Sequence, residues 1–252
     1  MRSIVRISLD PGTQDGLNQR QATADRKRQE GTLQVNGEWQ NARQTQTLRT
    51  VLATLKRMTE ERERCMYCLD SHGTDIEHFW PKTPYPERMF RWPNLLLCCT
   101  ECGRFKGDRF PLSEGQPLLI DPTAEESWLY IDFDPTTGNV VARFDLDRND
   151  WSSKGQTTVE ILQLDRREAL ASGYRRTFLR LSASVERHLH GAASSLDDLI
   201  SALSDADEHG LLGWCFIGTG QDVLPFCDLK QQQPDVWAAC LAAIAQRSGA
   251  TL

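Results

Sequence analysis

Residues 65–78 read "CMYCLDSHGTDIEH", and residues 95–108 read "LLLCCTECGRFKGD". Each stretch carries a C-x2-C knuckle, Cys65/Cys68 and Cys99/Cys102, with thirty residues between the two. Paired knuckles supply four thiolates, the number and softness of donors that a tetrahedral Zn²⁺ prefers, so these four cysteines are the expected ligands of one structural zinc. Disulfides suit an oxidising compartment, whereas the opening "MRSIVRISLDPG" lacks the apolar core of a secretory signal, and the chain reads as cytoplasmic. Such a zinc contributes folding free energy directly and holds residues 69–98 as a closed loop. Cys98 sits beside a ligand and is expected to face a core. Cys215, Cys227 and Cys240 lie in apolar surroundings without ligand spacing and read as small core residues.

Around this framework, a chain of 252 residues with 39% hydrophobic and 25% charged residues is ordinary for a globular protein of one large or two small domains. The longest apolar runs, such as "NLLLCC", fall far short of the roughly 20 residues of a membrane span. The net charge of −6 is unevenly spread: residues 1–120 hold 18 Lys and Arg against 15 Asp and Glu, and residues 121–252 hold 11 against 20. A locally positive nucleic-acid site is therefore compatible with the first half, and the acidic second half does not suit wrapping by DNA.

Three regions follow. Residues 1–60 form an amino-terminal arm and a helix. The arm, 12–48, is polar and is expected either to be poorly ordered alone or to lie over another surface. Leu48, Val51, Leu52, Leu55 and Met58 have the three-four spacing of an amphipathic helix in "TLRTVLATLKRMTEERER". Residues 61–122 hold the cysteine framework. Residues 123–252 combine a hairpin, "SWLYIDFDPTTGNVVARFDLD", with helices: one or two from Thr157 with a break near Asp165, one capped by Ser195, and one opening at Pro234.

Inside and just past the loop stand "IEHFWPK" (76–82), "WPNLLL" (92–97) and "GRFKGDRF" (103–110). With the knuckles, these resemble the HNH, or ββα-metal, endonucleases, and more narrowly the retron- and Septu-associated PtuB-like branch. The similarity is specific over about 65–112, with weaker echoes in "LLIDP" and "VEILQLDRREAL". It implies an α+β fold: a zinc-stabilised ββα-metal core with a mainly helical C-terminal region.

The resemblance also implies roles. His78 is the general base for phosphodiester hydrolysis, since an imidazole titrates near neutral pH. Glu77 ligates a catalytic Mg²⁺ or Mn²⁺, hard ions that take oxygen ligands. Asn94 hydrogen-bonds across the loop and orients the His-bearing strand. Lys82, Arg104, Lys106 and Arg109 grip DNA phosphates, anchoring without reading bases. The partner implied is an ABC- or SMC-like, PtuA-like ATPase in an anti-phage system, with no membrane involved. One position departs from the family: the Asn or His that follows the second knuckle as a metal ligand is here Gly103, and Asp108 is the candidate replacement. The competing reading is a degenerate scaffold, a zinc-stabilised module that binds nucleic acid or protein without cutting. Trp80 and Trp92 are expected to pack around the hairpin, and His72 to sit in a turn.

Overall fold

A computed structural model describes residues 1–59, 62–191 and 195–248. The fold is α+β, mostly helical, with four two-stranded antiparallel sheets among the described residues. They divide into two compact units, one of Val5–Tyr67 with Ser71–Pro117, the other of Met1–Ile4, Cys68–Asp70 and Leu118–Leu252.

The first unit opens with α1 (Pro11–Gln29), α2 (Val35–Arg43) and α3 (Gln46–Met58). The polar arm is thus helical. Asp10 caps α1 by accepting from the Thr13 N–H, Pro11 opens the first turn, and Arg26, Lys27 and Arg28 face the negative end of the helix dipole. Leu17, Gln21 and Ala24 bury a narrow face, and α1 packs on α3. That face is too sparse to register as apolar periodicity, which explains why the sequence pattern hid the helix. α3 is the amphipathic helix expected, burying Leu48, Val51, Leu55 and Met58. Glu60 and Glu61, inside the segment read as helix, lie outside the described residues.

Strands β1 (Asp75–His78) and β2 (Leu95–Cys98) pair antiparallel, with Asp75 opposite Cys98 and His78 opposite Leu95. β2 is buried throughout, an unbroken apolar run between layers, and α3 packs against it. Helix α4 (Thr100–Lys106) follows at once, with Cys99 as its N-cap and Gly107, at φ 48°, ending it. A two-stranded sheet is thus followed directly by a helix. A minor hairpin, β3 (Leu112–Ser113) with β4 (Gln116–Pro117), closes the unit.

The second unit holds the expected hairpin, β5 (Ile131–Phe133) with β6 (Val140–Ala142), and a small outer one, β7 (Phe144–Asp145) with β8 (Asp150–Trp151). Helix α5 (Ser153–Leu162) ends at Gln163 in a left-handed conformation, and α6 (Glu168–Leu189) starts afresh, so the break near Asp165 is present. Gly155 has no room for a side chain, since a Cβ there would lie 1.9 Å from the Tyr130 carbonyl oxygen. α7 (Leu196–Ala206) is capped by the Ser195 hydroxyl. Three further helices complete the unit, α8 (Leu212–Phe216), α9 (Phe226–Gln232) and α10 (Pro234–Ser248). Trp214, Phe216 and Phe226 form an aromatic core there with Phe133 and Phe178. Cys215 and Cys240 are buried in this unit as expected, whereas Cys227 is half-buried. Among the described residues no helix is long and apolar enough to cross a membrane.

Candidate functional site

The cysteine framework comes first, because it fixes both ends of the loop that carries the acid–histidine pair. The Sγ atoms of Cys65, Cys68, Cys99 and Cys102 all lie within 4.8 Å of one another, and all four residues are buried. A tetrahedral zinc with Zn–S bonds of about 2.3 Å separates its sulfurs by about 3.8 Å, so the donor set and its spacing fit Zn²⁺. The backbone holds the first knuckle against β2: Met66 N–H donates to the Leu97 carbonyl (2.9 Å), and Thr74 N–H to that of Cys98 (3.0 Å). Gly73 permits this approach, since a Cβ would fall 2.4 Å from Leu97 Cγ. Cys98, the fifth thiol, is buried, with its Sγ 4.0 Å from that of Cys65.

Asn94 is buried at the mouth of β2 and clamps the loop. Its Oδ1 accepts from the Trp80 N–H (2.7 Å), and its Nδ2 donates to the carbonyls of Trp80 and Arg88 (3.0 Å each). An amide is the one side chain of this size with an acceptor and two donors, which is why the position calls for Asn. The clamp holds the turn immediately after His78, where Phe79 N–H also donates to the Asn94 carbonyl.

His78 ends β1 with 5% of its surface exposed. Its Nε2 lies 3.0 Å from the Met89 carbonyl oxygen, a pure acceptor, so Nε2 carries the hydrogen and Nδ1 keeps the lone pair. The Trp39 ring of α2 stands edge-on to the imidazole at 4.3 Å between centroids. Burial, reinforced by the positive charges of Lys82 and Lys106, pushes the imidazole pKa down to about 3, against the opposing effect of the Met89 bond. The ring is therefore neutral at physiological pH.

Glu77, the neighbouring acid, is answered by an unexpected partner. Lys106, the last residue of α4, is fully buried, and its Nζ donates to Glu77 Oε1 (2.9 Å) and to the His78 carbonyl (2.7 Å). Burial raises the Glu77 pKa, and the attraction of Lys106 opposes that rise. Of the residues expected on phosphates, Lys106 is thus placed inside, while Arg104 and Arg109 are exposed and Lys82 is half-buried. Asp75 is paired with Arg43 of α2 at 2.6 Å.

The expected catalytic metal meets a poor fit in this arrangement. Gly103 faces Glu77, and a Cβ built on it would lie 3.5 Å from Glu77 Oε2, so a side chain at this position would meet that carboxylate. Asp108 is exposed past the end of α4. Among the described residues the four cysteines are the one group of three or more His, Cys, Asp or Glu donors gathered closely enough to hold an ion. One carboxylate with one oxygen already bonded to an ammonium does not make a site for Mg²⁺ or Mn²⁺, which require several oxygen ligands.

Around the loop, Trp92 is buried with its indole N–H on the Ile7 carbonyl (3.1 Å), as a packing role requires. Trp80 is half-buried against Tyr85 and Phe110, with the Arg88 guanidinium 4.2 Å above its ring. His72 is exposed in its turn, 3.3 Å from Glu63. Sequence reasoning missed Trp39 and the inward course of Lys106, whose partners lie too far along the chain to form a local pattern. It missed equally the buried His209, set between Thr177 Oγ1 (2.8 Å) and Asp70 Oδ1 (3.3 Å).

No protein-family model matches the chain. A stretch of 112 residues is 32% identical to the Septu protein PtuB of Bacillus thuringiensis, covering 42% of this chain and 38% of that relative. The chain thus spans less than two fifths of the relative's length. The similarity is distant and partial, and it points to the Septu-like proteins.

Proposed function

We propose that this chain is a component of a Septu-like anti-phage system and that its 61–122 region is an HNH-type endonuclease core acting on DNA. The observation that supports this best is the joint placement of His78 and Asn94. The histidine ends β1 beside an acid, the asparagine is buried at the start of the opposing strand, and its amide fixes the loop between them. Asn94 is explained by the loop it clamps, whereas the lone pair left on His78 Nδ1 is free for chemistry in this reading.

In this reading His78 Nδ1 takes the proton of the attacking water, since Nε2 is held as a donor by the Met89 carbonyl. Asn94 keeps the ring at the strand end. Exposed Arg104 and Arg109, with Lys82, hold the phosphates on either side. No step is routed through Mg²⁺ or Mn²⁺, because the donors do not fit one in the arrangement described. His78 is buried beneath Trp39, so in this reading the arrangement described is the silent one, and the base must be uncovered before water reaches Nδ1. A defence nuclease must be silent until triggered, and the ATPase partner is the natural trigger. The acidic residues 121–252 are the proposed docking surface for it, which co-purification of the partner with 1–120 but not with 121–252 would contradict.

The second reading, a zinc-stabilised binding module without chemistry, is favoured by Gly103, which removes a ligand position from the helix. Phage challenge of cells carrying the gene with its native neighbours separates the two. The nuclease reading predicts that His78→Ala abolishes protection as fully as Cys99→Ser does. Protection that survives His78→Ala but not Cys99→Ser would establish the binding module.

A further inference from the structure

An acid placed to hold a cation in the ββα core has a cation already, and it belongs to the chain. Lys106 Nζ is bonded to Glu77 Oε1 at 2.9 Å, to the His78 carbonyl at 2.7 Å and, more weakly, to the Gly107 carbonyl at 3.4 Å. Three oxygens thus bond one fully buried ammonium, and oxygen is the donor type that a hard divalent ion also takes. At Gly103 a Cβ would touch Glu77 Oε2 at 3.5 Å and Cys98 Sγ at 3.8 Å, so a side chain from the helix would reach the same carboxylate.

The geometry points to Lys106 as the resident cation of this site, with its ammonium in the place of a divalent ion and Glu77 as its counter-charge. The inference rests on the reading of 61–122 as an HNH-type core, but its test does not depend on cleavage. Two consequences follow from charge and space. Glu77 offers an incoming metal a carboxylate whose Oε1 is already bonded to Lys106 and which also accepts from the His78 N–H. An incoming divalent ion must also displace, or lie against, a buried positive charge, which repels it strongly where the dielectric is low.

The test is Mn²⁺ binding to the zinc-loaded full chain, read by the loss of the free Mn²⁺ signal in electron paramagnetic resonance. Wild type is expected to bind no Mn²⁺ that Glu77→Gln removes. The double variant Gly103→His/Lys106→Met, which adds a ligand beside Glu77 and removes the ammonium, is expected to bind one Mn²⁺ at least tenfold more tightly than wild type, and Glu77→Gln to abolish that binding. Zinc content and far-ultraviolet circular dichroism check that the variant is folded. Glu77-dependent Mn²⁺ binding by wild type would overturn the inference, and that arm needs no folded variant. A folded double variant that gains no Glu77-dependent site would overturn it too, by showing that the position is not one for a cation. Failure of the nuclease reading would appear separately, as protection or cleavage indifferent to His78→Ala.

Discussion

His78, Asn94 and the Glu77–Lys106 pair each carry a claim about a single side chain. Burial holds the folded pKa of His78 at about 3, below the ordinary value of about 6.5 in an unfolded chain. Protonation therefore favours the unfolded state. The stability contributed by the neutral ring is complete above about pH 6.5 and is lost as pH falls toward 3, at up to about 1.4 kcal/mol per pH unit. A histidine NMR titration should find the His78 ring unchanged from pH 8 to 5, and a midpoint near 6.5 would show that it is open to water. Trp39→Ala removes its cover and should move that midpoint upward. At Asn94, substitution by Ala orphans the Trp80 N–H and two carbonyls and should cost about 3 kcal/mol in denaturant unfolding. Asn94→Asp should cost more, because a carboxylate there faces the two carbonyls without a hydrogen to offer. Lys106→Met strands a largely buried carboxylate and should cost about 3 kcal/mol, most of which Glu77→Gln in the same chain recovers. A double-variant loss equal to the sum of the losses in Lys106→Met and Glu77→Gln alone would mean that the pair is not coupled.

At the level of elements, the β1–β2–α4 unit is expected to depend on a metal held by the four cysteines more than on its own packing. β1 and β2 have four residues each, and α4 has seven, lengths at which an isolated hairpin and helix are marginal in water. Metal analysis of the purified chain is expected to find about one zinc. Its removal by a chelator, or Cys65→Ser, should melt this unit first, seen as early loss of amide protection over 75–106, while α6 retains its protection. Loss of protection across both regions in one step would contradict that order. Much of this was legible in the sequence, because knuckle spacing and an Asn before an apolar run are local patterns. Helix α1 was not, since its buried face rests on Leu17, Ala24 and the polar Gln21, whose amide serves Pro86 and Phe90 far along the chain. Periodicity reads apolar stripes, and this helix is fixed instead by a cap, a proline and hydrogen bonds to distant backbone.

At the scale of the whole molecule, charge divides the chain into a mildly basic first half and an acidic second half, a division plain from composition alone. What composition left hidden was which basic residues face solvent. Lys106 reads like its neighbours Arg104 and Arg109 yet turns inward, because the last turn of α4 places it over Glu77, twenty-nine positions away. Nucleic-acid binding should consequently fall with salt through the exposed set, with Arg104→Ala and Arg109→Ala each lowering the salt slope of binding by about one. Whether that binding ends in chemistry is decided most directly by DNA cleavage with the purified chain and the proposed ATPase partner, comparing wild type with His78→Ala at equal zinc content. The account predicts cleavage by wild type that His78→Ala abolishes. Cleavage equal in both proteins, or DNA bound and left intact by wild type with the partner present, would contradict it.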